Sequence, residues 1–418
     1  DAKLLWKGTV FPEGEGDRWF TSGSAAYHAL LKKLPEDGAK AHEALRDALA
    51  DLDLREAWLA TREEIVPPAR AAHAWDRYGA YQVPRLRGTF ALHQLRLALG
   101  NAAFAKAMQA VHGKYAGKAV STAEVLRTLS ASAGRDVAPI VRPFLDRAAP
   151  PDPKVAATVA EAKAEGGAPA WEVTLSVKQD GAPWPFVAAV EVRTASGARL
   201  ERVEVRDGDE TFTFRSAERP VAVTFDAGAD MPVRRDDPYV LSNLLDDFSR
   251  HLHVWGSARE VEAGRSLGLL WREVVADAFV ELLPPLVSDA EATDEALAAN
   301  DLVLLGGAAD NLVVARLARE GNLPVELGTG FFRFRGTTYA RPDDGIAIAF
   351  ANPWNPKRAV YLYAANSRLQ LWQMVKAYPR GQPGFAVWRG GEVVLKGHGG
   401  AERYDLPLGA PAARSVTH

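Results

Sequence analysis

The chain has 418 residues, 47% of them hydrophobic and 25% charged, with a formal net charge of −3 and no cysteine. That length suggests roughly two to three domains and supplies apolar material for several cores, so folding requires neither a disulfide nor a metal. The charge balance gives no electrostatic case for nucleic acid. The missing cysteines exclude disulfides, thiolate nucleophiles and Cys-based metal sites, and no apolar run is long enough to span a membrane.

Residues 1–147 read as helical. Asp17 to Leu34 carries apolar positions at helical spacing and ends at Pro35 and Gly38. A polar-faced helix follows over 39–62, broken near Pro67-Pro68. Leu92, Leu95 and Leu99 form one buried helix face; Gly100 stops that helix, and Asn101 is placed to cap the next, which carries Phe104, Met108 and Val111. Ser121-Thr122-Ala123-Glu124 is a capping box closed by Gly134, and Asp136 caps a last short helix ending near Asp146. Helix after short loop after helix is the grammar of an all-α lobe.

The run Ala148-Ala149-Pro150-Pro151-Asp152-Pro153 is an extended linker. Beyond it the period changes to two: Trp171, Val173, Leu175 and Val177 alternate with polar residues, as do Val203 and Val205, Phe212 and Phe214, and Val221, Val223 and Phe225. This predicts a small antiparallel β-sandwich over 154–235. From 243 to 408, strands at His251–Trp255, Leu302–Leu305, Ile346–Phe350 and Val360–Tyr363 interleave with helices at 258–275, around Leu312 to Leu317, and at 367–377. A hairpin from Phe385 to Leu395 turns at Gly390-Gly391. Alternation of this kind predicts a three-layer α/β module with a mostly parallel sheet, followed by a peripheral tail. The fold class expected is therefore multidomain α+β.

Within the helical part, Trp19, Gly23, Ala25 and Tyr27 fall as in the W-L-x-E-G-F-A-x-Y segment of the aminopeptidase N-like zinc metallopeptidases, and the chain resembles that family there. Leu5-Trp6-Lys7-Gly8-Thr9-Val10 resembles its H-Q-W-x-G-x-x-V, Arg87-Gly88 through Leu99-Gly100 its K-G-x-x-V-L-x-x-L-R-x-x-L-G, and Ala133-Gly134-Arg135-Asp136 its S-G-x-D. The resemblance covers about residues 4–148, the C-terminal part of the family's catalytic domain, and the family often carries a sandwich next.

The resemblance also implies a site. Zinc is held by two His of H-E-x-x-H and a later Glu, with a Glu base and a Tyr donor to the oxyanion. Here Leu4 stands at the second His, Asp1 near the Glu base, Ser22 at the ligand Glu and Arg85 at the Tyr. The first His would precede the chain. A hydroxyl is a poor zinc ligand and a guanidinium repels the ion, so the expectation is a degenerate site with no cofactor.

Other chemistries have weaker support. His42-Glu43 lacks the second His, with Arg46 in its place. His251 and His253 share one face of a strand without a nearby carboxylate, and His93 lies on an apolar helix face. Asp226, Asp230, Asp236 and Asp237 cluster without the spacing of an EF-hand. Gly306-Gly307 and Asn311 lie between a buried strand and a helix, where open α/β sheets bind anions, but they form neither G-x-G-x-x-G nor a P-loop.

The functional expectation is an inactive peptidase-like protein serving as a binding, scaffold or partner subunit for a protein or peptide. One alternative is an active metallo-aminopeptidase whose zinc ligands lie in an upstream segment or a partner chain. Another is a small-ligand-binding α/β module on a peptidase-derived scaffold, with Gly306, Gly307 and Asn311 as its site. The chain begins at Asp1 without Met and inside a domain, so a missing N-terminal segment or a hetero-oligomeric partner is expected. The Ala/Arg-rich, cysteine-free composition favours a bacterial periplasmic or secreted protein.

Overall fold

The computed structural model describes residues 6–72, 78–163, 169–235, 237–245, 250–278, 283–377, 383–398 and 404–408. The molecule is a mixed α+β protein of two compact units, one formed by residues 1–234 with 402–418 and the other by 235–401. No helix among the described residues is long and apolar enough to cross a membrane.

The first unit opens with the short strand β1 (Phe11–Pro12), helix α1 (Arg18–Lys32) and helix α2 (Gly38–Arg62). Asp37 starts α2 by accepting hydrogen bonds from the Ala39 and Lys40 amides. Helix α3 (Tyr78–Leu99) is the buried centre of this part, with an almost unbroken buried run from Gln82 to Leu95. Next come α4 (Asn101–Tyr115), β2 (Ala119–Val120, parallel to β1), α5 (Thr122–Ala133) and α6 (Ala138–Asp146). The Ser121/Glu124 capping box opens α5, and Gly134 closes it at φ +68°. Asn101 is the first residue of α4 rather than its cap, since Gly100 occupies the N-cap position.

The sandwich follows as β3 (Lys154–Lys163), β4 (Pro169–Lys178), β5 (Phe186–Arg193), β6 (Ala198–Val205), β7 (Asp209–Ser216) and β8 (Ala222–Phe225). One sheet runs β3-β4-β7 and the other contains β8-β5-β6, with antiparallel pairing throughout. Helices and sandwich, expected as separate domains over 1–148 and 154–235, share one apolar core reaching from Trp6 and Phe90 to Val173 and Phe225.

The second unit is built on a seven-stranded sheet. Its elements are β9 (His251–Trp255), α7 (Val261–Ala278), β10 (Leu286–Ser288), α8 (Asp294–Ala299), β11 (Asp301–Leu305) and α9 (Leu312–Arg319). A small antiparallel sheet of β12 (Glu326–Gly328), β13 (Phe331–Phe334) and β14 (Thr337–Tyr339) comes next. Then follow β15 (Asp344–Ala351), β16 (Ala359–Ala365), α10 (Arg368–Lys376), β17 (Phe385–Arg389) and β18 (Glu392–Gly397). The sheet order is β10-β9-β11-β16-β15-β17-β18. Strands β10, β9, β11 and β16 run parallel, whereas β15, β17 and β18 pair antiparallel, so the sheet is mixed rather than mostly parallel.

Every residue of β11 is buried, as expected when both faces of a parallel strand are covered. One face buries Leu252, Val254, Leu302 and Leu304 with Val313, Val314 and Leu317 of α9. The alternate residues of β9 are His251 and His253, and the His253 ring lies against Trp271 of α7. The chain then returns to the first unit as β19 (Asp405–Pro407), which pairs with β8. The α/β unit thus ends before residue 402 instead of at 408, because 404–408 complete the sandwich.

Candidate functional site

The residues carrying the sequence motif converge where α1 crosses α3. Two glycines set the approach: a Cβ on Gly23 would lie 2.5 Å from the Gly88 carbonyl carbon, and one on Gly88 would lie 2.2 Å from the Trp19 carbonyl oxygen. Only glycine at both positions permits backbones this close. Trp19 and Phe20 are fully buried beside the crossing, and the Trp19 indole N–H donates to Thr122 Oγ1 at 2.9 Å. Trp6 is fully buried too, its indole donating to the Met108 carbonyl at 3.2 Å.

On α3, Tyr81, Arg85 and Gly88 recur at i, i+4 and i+7, a single helix face. Tyr81 meets the Arg18 guanidinium of α1 at 5.7 Å, and Gly88 meets Trp19 and Gly23, so this is the face turned to α1. Arg85 lies between those two contacts. Ser22 sits next to Gly23 on α1, one turn beyond Arg18. The structure therefore brings Ser22 and Arg85 to one helix crossing, while Leu4 and Asp1 lie outside the described residues.

Their chemistry differs from that of a metal site. The Ser22 hydroxyl donates to the Arg18 carbonyl at 2.7 Å, within its own helix. Arg85 is half-buried, and among the described residues its side chain makes one hydrogen bond, a long one from Nη1 to Gln82 Oε1 at 3.4 Å. No carboxylate among the described residues pairs with it. These side chains do not fit a zinc ion: a hydroxyl already donated to a carbonyl and a guanidinium offer no anionic or imidazole donor. Among the described residues no group of three His, Cys, Asp or Glu is placed to hold a metal.

The neighbouring polar groups of α3 are structural. Arg87 is fully buried, and its Nε donates to Glu56 Oε2 of α2 at 2.7 Å while its Nη2 donates to the Ala148 carbonyl at 3.1 Å. Its guanidinium also lies 5.6 Å from the Trp184 ring. His93 is held between Tyr27 OH on Nδ1 and Asp230 Oδ1 on Nε2, each at 2.9 Å. Asp230 Oδ2 accepts the Ala189 amide at 2.8 Å, and Gln94 bridges the Val187 amide and the Asp230 carbonyl. Burial pushes the Tyr27 hydroxyl up to about 12, so it stays protonated as part of this network. These bonds tie α1 and α3 to the sandwich.

The second candidate lies in the α/β unit. The chain passes from β9 out to β10, then back across to β11 on the other side of β9, a reversal that makes the C-terminal ends of β9 and β11 the switch point where open α/β sheets form a binding crevice. Gly306, at φ +107°, donates its amide to the Tyr363 carbonyl, and the Gly307 carbonyl accepts the Asp310 and Asn311 amides. Asn311 is fully buried: it caps α9 by accepting from the Val313 and Val314 amides and donates to the Val254 and Leu305 carbonyls.

An acidic side chain that sequence reasoning missed completes the crevice. Asp289, just after β10, accepts the Ser257 amide at 3.0 Å and the Leu312 amide at 2.6 Å. The anion seat at the start of α9 is thus taken by the chain's own carboxylate, and a phosphate there would have to displace it.

The remaining singled-out groups are placed as follows. Arg46, at the position a second metal His would take, bonds the adjacent Asp47 on an exposed helix face. His251 and His253 are buried on one side of the sheet with ring centroids 6.2 Å apart. Burial, with His251 and Arg272 nearby, holds the His253 imidazole well below its usual range. Asp226 accepts the Asp230 amide at 2.8 Å; Asp236 lies outside the described residues.

No protein-family model matches the chain, and no curated protein matches it in sequence. Among solved structures the chain is similar to Legionella pneumophila aminopeptidase A, crystallised in complex with aspartic acid, at 14% identity and a TM-score of 0.38. The match covers 67% of this chain and 30% of that protein's length.

Proposed function

We propose that the chain is a catalytically inactive relative of the aminopeptidase N-like zinc peptidases that acts as a binding or scaffold subunit for a protein or peptide partner. The observation that supports this reading is the α1/α3 crossing. The framework glycines and aromatics of the motif are packed there, yet the two functional positions in view carry a self-bonded serine and an arginine. A zinc peptidase needs a cation with an open coordination position and a base over the bound water. Here the position of the third ligand gives no charge to a metal, and that of the oxyanion donor carries a positive charge of its own.

Two measurements test this: metal content of the protein purified with zinc present, and hydrolysis of a panel of aminoacyl substrates. Substoichiometric zinc and no chelator-sensitive turnover are expected. Stoichiometric zinc with turnover abolished by a chelator overturns the proposal.

A further inference from the structure

We infer that the α1/α3 crossing is a recognition site for a peptide carboxylate, with Arg85 as the residue that grips it. Three features carry this. Arg85 is half-buried and has no carboxylate partner among the described residues, although partial burial raises the cost of leaving a guanidinium unpaired. Two residues along the same helix, Arg87 is buried and given a carboxylate, a backbone carbonyl and an aromatic face. Among the described residues the fold therefore supplies a carboxylate to one arginine of this turn and none to the other.

The surroundings of Arg85 suit an extended chain. Tyr81 and Tyr78 stand exposed one and two turns before it on α3, each 40% accessible, and Arg18 packs on the Tyr81 ring. Aromatic surface beside a guanidinium is the composition of a hot spot for peptide binding. A planar guanidinium takes a carboxylate in a two-pronged geometry, which an ammonium or a hydroxyl does not reproduce. The Ser22 hydroxyl proton is committed to the Arg18 carbonyl, so it adds no donor to the anion. Selectivity therefore falls on Arg85.

This inference rests on the binding role proposed above and names the chemistry of the partner. Titration calorimetry on the full chain tests it with three N-acetylated alanine tetrapeptides: one with a free carboxyl terminus, its amide, and an amide with one internal aspartate. Binding of either carboxylate peptide, with none to the plain amide, is expected. The first and third peptides separate a chain terminus from an acidic side chain as the source. Arg85→Gln should lower the affinity about tenfold or more, and Arg85→Lys should keep part of it. Thermal unfolding of both variants should be unchanged or raised, since Arg85 has no ion pair among the described residues to lose.

Equal binding of amide and acid, no binding by any of the three, or wild-type affinity in Arg85→Gln each overturns the inference. So does displacement of the peptide by inorganic phosphate at equal or lower concentration. Zinc content and turnover are read on the same preparation. An inactive, zinc-free protein that ignores carboxylates defeats only this inference, whereas a zinc-dependent hydrolase defeats the role on which it rests.

Discussion

The α1/α3 crossing and the β9/β11 crevice handle charge in opposite ways. In the crevice the topology creates an anion seat, and Asp289 fills it from within, satisfying the Ser257 and Leu312 amides. At the crossing a half-buried cation, Arg85, has no carboxylate partner among the described residues. The lesson is that a charge-binding geometry marks a site only once the chain's own side chains have been counted. By that count the anion seat beside the glycine turn is occupied by Asp289, whereas no carboxylate among the described residues pairs with Arg85 at the helix crossing.

The largest expected effect breaks the contrast inside α3. Glu56→Ala leaves Arg87 as a fully buried, uncompensated cation and should cost about 3–5 kcal/mol in urea unfolding. A smaller value would mean that Arg87 relaxes toward solvent, and that its difference from Arg85 is one of degree.

Asp289→Ala empties the seat in the α/β unit. It should cost about 1–3 kcal/mol for the two stranded amides. Added phosphate should restore part of that loss in the variant and do nothing for the parent protein. Phosphate stabilising both alike would show that the seat is not filled from within.

The pH dependence sharpens the comparison. His253 has a depressed folded-state pKa, so the native protein resists a proton that the unfolded chain accepts below about pH 6.5. Its contribution is fully present above that value and is lost as pH falls toward the folded-state pKa, at up to about 1.4 kcal/mol per pH unit. His253→Phe should flatten this acid limb in a denaturant series run between pH 7 and pH 5; an unchanged slope would assign it to other groups. Smallest of all, Arg85→Met should shift stability by no more than about 0.5 kcal/mol, because no ion pair among the described residues is broken. A loss approaching that of Glu56→Ala would reveal a structural role for Arg85 and weaken the contrast.

Much of this was legible in the residues. Helical spacing located α1 and α4, the Ser121/Glu124 box and Gly134 marked both ends of α5, and Gly390-Gly391, both at positive φ, marked the turn between β17 and β18. These signals are local, carried by neighbours along the chain. What periodicity could not reach was decided at long range. Asp230 meets His93 across 137 positions, and Asp289 meets Leu312 and Ser257 across 23 and 32. Strands of three or four residues, such as β12 to β14, are too short to display an alternation. That Ser22 and Arg85 lie on two crossing helices could not be read from periodicity, because 63 positions separate them and neither residue type marks a site alone.

The sandwich strand at 405–407 has a consequence for how the protein is made. Strand β8 waits for its outer neighbour until the ribosome has delivered the whole α/β insert, residues 235–401. The guest therefore has time to fold while its host still shows an open edge, a template for stray pairing between nascent chains. Sealing that edge only when residues 405–407 emerge makes their delivery the step at which the edge of β8 is protected from stray pairing.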